Sequence, residues 1–303
     1  MSDQLVEAPR SRTGLYVVVG VVVLAVVAAV AFFALRGGDD EDTVVIGVVD
    51  ASEPYWDTYV DAAADEGITV ELKNFADYTQ PNPALSEGDL DLNQFQHIVY
   101  LAGYNVDADE DLVPIGATAI YPLALYSTQF DSVEDIPDGS TVAVPNDDSN
   151  LARGLLVLQS AGLITLEGGG SIYSTLDEID EEASRVKVTA LDANLTPTSL
   201  PDVAAAIINN DFVEDAGLTF EDAIAQDDPE DPNALPYVNI FAARAEDQDN
   251  ETYRKLVEIY QTNEKVQAGV QEASGNTAVL LKTPVADLEE SLAQVEEDTR
   301  AQQ

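Results

Sequence analysis

The chain carries little conventional catalytic equipment: one histidine and no cysteine in 303 residues. Thiolate metal sites, disulfides and cysteine nucleophiles are therefore excluded together. The histidine, His97, lies in "NQFQHIVYL", an apolar stretch with Phe95 and Tyr100 beside it. No serine-nucleophile motif accompanies it, which disfavours a hydrolytic triad. Two readings remain: a core histidine satisfied internally, or a neutral imidazole lining an apolar pocket. The acidic runs "DDEDT" and "DDPEDPN" lack the glycine-bearing spacing of a calcium-binding loop, so neither a metal nor a cofactor is expected.

Arg153 is the second residue with distinctive chemistry, one of eight arginines, near the start of the helical pattern "DSNLARGLLVLQSAGLI". A planar guanidinium offers parallel donors that clamp a carboxylate, and a helix N-terminus adds its own N–H groups. The alternative is an arginine paired on the surface with one of many carboxylates. In the clamp reading an open cleft leaves the guanidinium hydrated until a ligand arrives. Asn209 closes the apolar run "AAAIIN", and Asn239 sits inside "PYVNIF". An amide among apolar neighbours must satisfy both donors and acceptors, so each joins a network or faces a ligand. Trp56, the only tryptophan, reads as packing on the first helix.

The elements that must position these residues alternate. "TVVIGVV" (43–49) is a β-branched run suited to a buried parallel strand. A helical stretch follows to Gly67, a natural stop, and then the strand "ITVELKNF". This βαβ opening predicts an α/β layered fold. Further along, 84–104 reads as helix, turn, short strand and helix, and 112–127 as one or two strands. A strand is expected at 141–144, then an amphipathic helix over 148–164 capped by Ser149 or Asn150. "VKVTALD", "AAAIIN" and "PYVNIFAARAED" are further strands, and the tail from Asn250 is helical.

Charge and hydropathy bound the setting. Thirteen basic residues against 57 acidic ones give a net charge of −44, which would repel nucleic-acid phosphates and anionic lipid headgroups. Such acidity suits a well-solvated surface or adaptation to high salt, where screening shortens the reach of self-repulsion. Residues 14–35, "GLYVVVGVVVLAVVAAVAFFAL", hold no charge and would form a helix of roughly 33 Å, enough to span a bilayer core. Arg10 and Arg12 precede it and "GGDDEDT" follows. That bias places residues 1–13 in the cytoplasm, 36–42 as an acidic tether, and the remainder outside the cell membrane on a single-pass anchor.

Five ordered segments carry a resemblance: "FADYTQPNPALSEGDLDLNQFQHIVYL", "VPIGATAIYPLALYS", "DGSTVAVPNDDSNLARGLLVLQSAGLI", "AAAIINNDFV" and "PYVNIFAAR". In order and spacing they resemble the NlpA-type substrate-binding proteins of methionine ABC importers, over nearly all of residues 43–275. The resemblance implies a two-lobed periplasmic-binding-protein-like fold, non-enzymatic and monomeric, with a cleft between lobes that closes on methionine. It implies delivery to a membrane permease driven by an ATPase. Lobe one would take 43–122 and 239–303, and lobe two 123–238. Phe95, His97, Tyr100 and Tyr78 are implied to line the side-chain pocket, where a thioether packs well against aromatic edges and the imidazole offers sulfur a weak donor. The family pattern is matched by Asn146, Asp147, Asn150, Leu151 and Arg153; with Asn209 and Asn239 it supplies the polar contacts to the ligand's ends. Relatives of this kind are held by an acylated cysteine, which this chain lacks; the apolar segment 14–35 would replace it. Another apolar amino acid, a methionine-containing dipeptide, or a membrane-anchored hydrolase are the competing expectations.

Overall fold

The computed structural model of the chain describes residues 43–231 and 233–303. The expected membrane span at 14–35, the residues before it and the tether lie outside that range. Among the described residues no helix is long and apolar enough to cross a membrane.

The opening βαβ unit forms as its sequence directs. β1 (Val44–Val49) is β-branched and buried along most of its length, and it pairs in parallel with β2 (Val70–Phe75) across α1 (Pro54–Asp65). Pro54 stands in the first turn of α1, where a missing N–H costs nothing. A short helix, α2 (Pro81–Ser86), leads into β3 (Leu92–His97), buried at every position, and α3 (Ile98–Ala108) follows directly. The stretch 112–127 divides into β4 (Val113–Ala117), β5 (Ala119–Ile120) and β6 (Ala124–Tyr126). It is three strands rather than one or two because the chain turns there from one sheet into another.

The second sheet continues with β7 (Thr141–Pro145), α4 (Asp148–Ser160), β8 (Lys187–Leu191), a single turn α5 (Thr196–Ser199), β9 (Ala205–Ile208) and β10 (Ala223–Gln226). The chain then returns through β11 (Asn239–Ala243), α6 (Glu251–Thr262), α7 (Glu264–Ala273), β12 (Val279–Leu280) and α8 (Val285–Gln302). Strand order is β2-β1-β3-β11-β4 in one five-stranded sheet and β10-β6-β9-β7-β8 in the other. In the first, β11 runs antiparallel to both neighbours; in the second, β6 does.

Helices cover both faces of the first sheet. Trp56, Tyr59, Leu256, Val257 and Tyr260 pack on one side, and Ile98, Leu101, Leu288 and Leu292 on the other. Trp56 is fully buried among these aromatics, as a packing residue would be. Gly116 of β4 lets α6 approach closely, since a Cβ there would lie 2.2 Å from Val257 Cγ1. The second sheet shows period-two alternation: Leu125, Val142, Val144 and Ile207 face α4, while Ala124, Tyr126, Ala143, Ala206 and Ile208 face away. That second face meets Val49, Tyr78 and Phe95 from the first sheet's side. The site is built at this seam.

The two passages of chain between the sheets are fastened side by side. Leu123 N–H donates to Asp227 Oδ1 at 2.8 Å, and Asp227 N–H donates to Leu123 O at 3.2 Å.

Candidate ligand-binding site

His97 does two jobs at the end of β3. It is the last strand residue and the N-cap of α3, its Nδ1 accepting Tyr100 N–H at 3.2 Å. Capping with a ring nitrogen requires that nitrogen to be unprotonated, so a neutral ring carries its proton on Nε2. Burial, followed by the nearby Arg153 charge, lowers the imidazole pKa to about 3 and keeps it neutral. One turn into α3 stands Tyr100, and Asn239 lies opposite His97 where β11 pairs with β3.

The second sheet contributes its residues from two element ends. α4 is capped by Asp147, whose carboxylate accepts Asn150 N–H at 2.9 Å; neither Ser149 nor Asn150, the expected caps, has that role. Both sit inside the first turn, because the helix begins at Asp148 and the cap position therefore falls on Asp147, an equally good capping residue. Asn150 and Arg153 then point from one side of the helix start toward the seam, and Asn209 follows the end of β9.

All eight residues anticipated as ligand contacts, Tyr78, Phe95, His97, Tyr100, Asn150, Arg153, Asn209 and Asn239, line one cavity of about 40 Å³. That is room for about three waters. Tyr78, Phe95 and Tyr100 form a mutual aromatic group with centroids 5.6–6.1 Å apart. The seam is drawn shut by contacts from one sheet's side to the other. Tyr78 Oη donates to Asp211 Oδ2 at 2.7 Å, and Asn194 Nδ2 donates to Ala76 O at 2.9 Å. His97 Nε2 lies 3.5 Å from Asn150 Oδ1, a long bond.

A carboxylate sets the polarity of the amides. Asp147 can only accept, so Asn150 must turn its Nδ2 toward it, at 2.9 and 3.1 Å. Asn150 Oδ1 is thereby left to accept, from Asn209 Nδ2 at 3.0 Å and from His97 Nε2–H. The imidazole proton is therefore engaged by an amide, and the expected donation to a ligand sulfur is not what this arrangement provides. His97 presents its ring, not its N–H.

Arg153 is only 6% exposed, which overturns the expectation of a hydrated guanidinium. Its Nε donates to Asp227 Oδ2 at 2.6 Å, its Nη2 donates to Tyr121 O at 2.8 Å, and its Cζ lies 4.5 Å from the Tyr237 ring centroid. Tyr121 belongs to one passage between the sheets, Asp227 and Tyr237 to the other. The helix thus grips both passages through one side chain. Three of the five guanidinium N–H groups remain, enough to receive a carboxylate end-on.

A model of the NlpA lipoprotein family matches residues 44–280. The chain belongs to the NlpA lipoprotein family. It is 39% identical over 260 residues to the D-methionine-binding lipoprotein MetQ of Salmonella typhi, covering 83% of this chain and 94% of that one. The structure resembles the substrate-binding protein of a methionine transporter from Streptococcus pneumoniae, with a TM-score of 0.74 and 35% identity over 79% of this chain and 95% of that one. It also resembles a nutrient-binding protein from Burkholderia cenocepacia bound to methionine, with a TM-score of 0.73 and 37% identity over 78% and 99% of the two chains. The α/β, two-lobed binding-protein architecture is shared with these neighbours.

Sequence reasoning about this family member missed Asp227, Tyr237, Asn210 and Asp211, and it placed Asp147 in the family pattern without its role as the cap of α4. Asp147 carried a signal, an acidic residue just ahead of an amphipathic run. The others are assembled only by folding: Asp227 is 74 positions from Arg153, and Asp211 is 133 from Tyr78.

Proposed function

We propose that this NlpA-family protein captures methionine between its two sheets and delivers it to the permease and ATPase of an ABC importer. No chemical step on the ligand is involved. Lobe one corresponds to residues 43–122 and 239–303, and lobe two to 123–238. The observation that supports this best is the convergence of Tyr78, Phe95, His97, Tyr100, Asn150, Arg153, Asn209 and Asn239 on one cavity.

The chemistry of the walls suits a zwitterion with an apolar tail. Aromatic edges from Tyr78, Phe95 and Tyr100 receive the thioether, each favourable contact contributing roughly 0.3–1.5 kcal/mol. The free N–H groups of Arg153 take the carboxylate. At about 40 Å³ the cavity is smaller than nine heavy atoms require, so the lobes separate to admit ligand and close around it. Arg153, holding both passages, sits where that motion hinges.

The apolar segment 14–35 anchors the protein in the cell membrane with the binding domain outside, replacing the acylated cysteine of other family members. It acts as a monomer. The test is a thermal-shift ligand screen on the full chain. Methionine at a hundredfold its dissociation constant should stabilise the protein by about 2.7 kcal/mol, a shift of a few degrees. No shift with millimolar methionine, beside a clear one with a different solute, would reassign the ligand.

A further inference from the structure

β3 changes step just before it delivers its site residues. β11 sets two consecutive residues, Ile240 and Phe241, against three of β3, Gln94 to Gln96, and the pairing of β3 with β1 ends at Gln94. Phe95 is therefore the extra residue of a β-bulge, and a bulge re-aims the side chains beyond it. In an unbroken strand Asn93, Phe95 and His97 would share one face and Gln96 would take the other. Here Gln96 Nε2 donates to Asn93 Oδ1 at 2.9 Å, so those two side chains stand together. His97, the next residue, is turned to the opposite side, where it caps α3 and meets Asn150.

A ring of three carboxamides holds this step in place. Asn93 Nδ2 donates to Asn82 Oδ1 at 2.9 Å, Gln96 Nε2 donates to the same oxygen at 2.6 Å, and Asn82 Nδ2 donates to Gln96 Oε1 at 2.7 Å. Gln96 thus spends one Nε2 hydrogen on Asn82 and the other on Asn93. Flipping any one of the three amides alone would set oxygen against oxygen. All three side chains are buried, at 0–2% exposure. Buried amides recover their lost hydration only through such bonds, so the set is stable complete and costly when broken. Asn82 and Asn93 do not line the ligand cavity. Asn82 belongs to α2, and Tyr78, just ahead of that helix, lies 5.8 Å from Phe95 between ring centroids.

We propose that this amide ring positions the aromatic wall of the cavity, with Asn82 as the positioning residue that joins the Tyr78 segment to the bulge carrying Phe95 and His97. The role rests on the reading of the cavity as a methionine site and adds the residue that shapes its tail end. Thioether contacts depend on ring edges held at a set distance, whereas the carboxylate is taken by Arg153 from α4. Losing the ring should therefore cost preference for a long thioether chain over a short alkyl one, and leave the grip on the charged end of the amino acid.

The experiment is calorimetric titration of the full chain with methionine and, by displacement, with 2-aminobutanoic acid, whose side chain stops where the sulfur would be. Wild type should prefer methionine by at least about tenfold. Asn82→Ala should weaken methionine about tenfold and 2-aminobutanoic acid less than about threefold. In a Phe95→Ala background the same substitution should cost methionine less than about threefold, because a residue it positions is already gone. Equal losses for the two ligands, unchanged methionine affinity, or losses that simply add to those of Phe95→Ala would each overturn the proposal and leave Asn82 an ordinary core residue. A measurement on wild type covers the case in which Asn82→Ala folds poorly. Hydrogen exchange followed by NMR should show both Gln96 Nε2 protons protected in the unliganded protein, and rapid exchange of either would mean that no closed ring holds the bulge. If wild type ignores methionine but takes another long-chain amino acid, and Asn82→Ala loses it selectively against its short analogue, the ligand is reassigned and the positioning role stands.

Discussion

Arg153 and Asp211 are the two charged side chains of one cavity, and they are provided for in opposite ways. The arginine is met by a carboxylate, a backbone carbonyl and an aromatic face. The aspartate is met by a phenol and an amide, both neutral. Charge met by charge within the fold is part of its framework. Charge met only by neutral groups is held at a cost, and burial accordingly raises the Asp211 pKa to about 6 against the pull of Tyr78 and Asn210. The comparison teaches that the cavity's positive wall is prebuilt and its negative wall is incomplete until a ligand arrives.

Removing the arginine should produce the largest effect. Arg153→Ala leaves Asp227 without its cation and frees both inter-sheet passages. Losing one partner of a buried pair costs about 3–5 kcal/mol, and the lower end applies because Asp227 is 27% exposed on its side chain. Denaturant unfolding should show that loss without ligand, and methionine affinity should fall roughly thirtyfold or more. Arg153→Lys should recover part of the stability and little of the affinity. If Arg153→Ala unfolds like wild type, the prebuilt wall is not part of the framework.

Acid should separate the histidine from the rest. His97 is held neutral with its pKa lowered to about 3, whereas in the unfolded chain it titrates near 6.5. The native state then binds fewer protons than the unfolded state between these values. Stability contributed by the neutral ring is present above about pH 6.5 and is lost as pH falls toward 3, by a few kcal/mol at most. A His97→Asn variant should lack that share of the acid slope. An unchanged slope would mean that the ring is not held in its neutral, capping form.

Asp211 carries the opposite sign. Its native pKa is raised from the ordinary 3.8, so the folded state prefers the protonated form. That stability is present below about pH 4 and is lost as pH rises through about 6. Asp211→Asn should therefore stabilise the unliganded protein at pH 7.5, by at most about 3 kcal/mol, while weakening methionine binding. Destabilisation by this isosteric change would show that the incomplete wall is not costly.

The smallest effect is on binding against pH. A ligand ammonium beside Asp211 needs the carboxylate ionised, so wild-type affinity should decline below pH 6 by up to about tenfold per unit, and the Asp211→Asn profile should be flatter. The groups whose charge is coupled to Asp211 are Tyr78, Tyr55 and Tyr121, all raised and neutral in this range, with Asp50 and Glu53. Glu53 is raised too, by burial first and then by acidic neighbours, so Glu53→Gln is the control that isolates Asp211.

Much of this was legible in the chain itself. β-branched runs and the glycine stop after α1 give the βαβ opening, because burial and turn chemistry are local. The eight ligand candidates came from ordered segments, and folding brings them to one cavity. What sequence could not supply is who satisfies whom. Arg153 reads as an available cation until Asp227 is placed beside it, and His97 reads as a donor until Asn150 takes its proton. Partners separated by many residues are fixed by topology, and amide polarity follows from the partner. The cap of α4 shows the same limit at short range, since Asp147, Ser149 and Asn150 all have the chemistry and only geometry chooses.

The most direct test of the account is titration of methionine into the full wild-type chain, with 4-(methylthio)butanoic acid and methioninamide run alongside. A prebuilt cationic wall and an incomplete anionic wall together demand both ends of a zwitterion. Methionine should bind with one site per chain, and removing either the amine or the carboxylate charge should each cost at least about tenfold in affinity. A protein that binds all three equally well would hold only the thioether tail, and the assignment of both walls would be wrong.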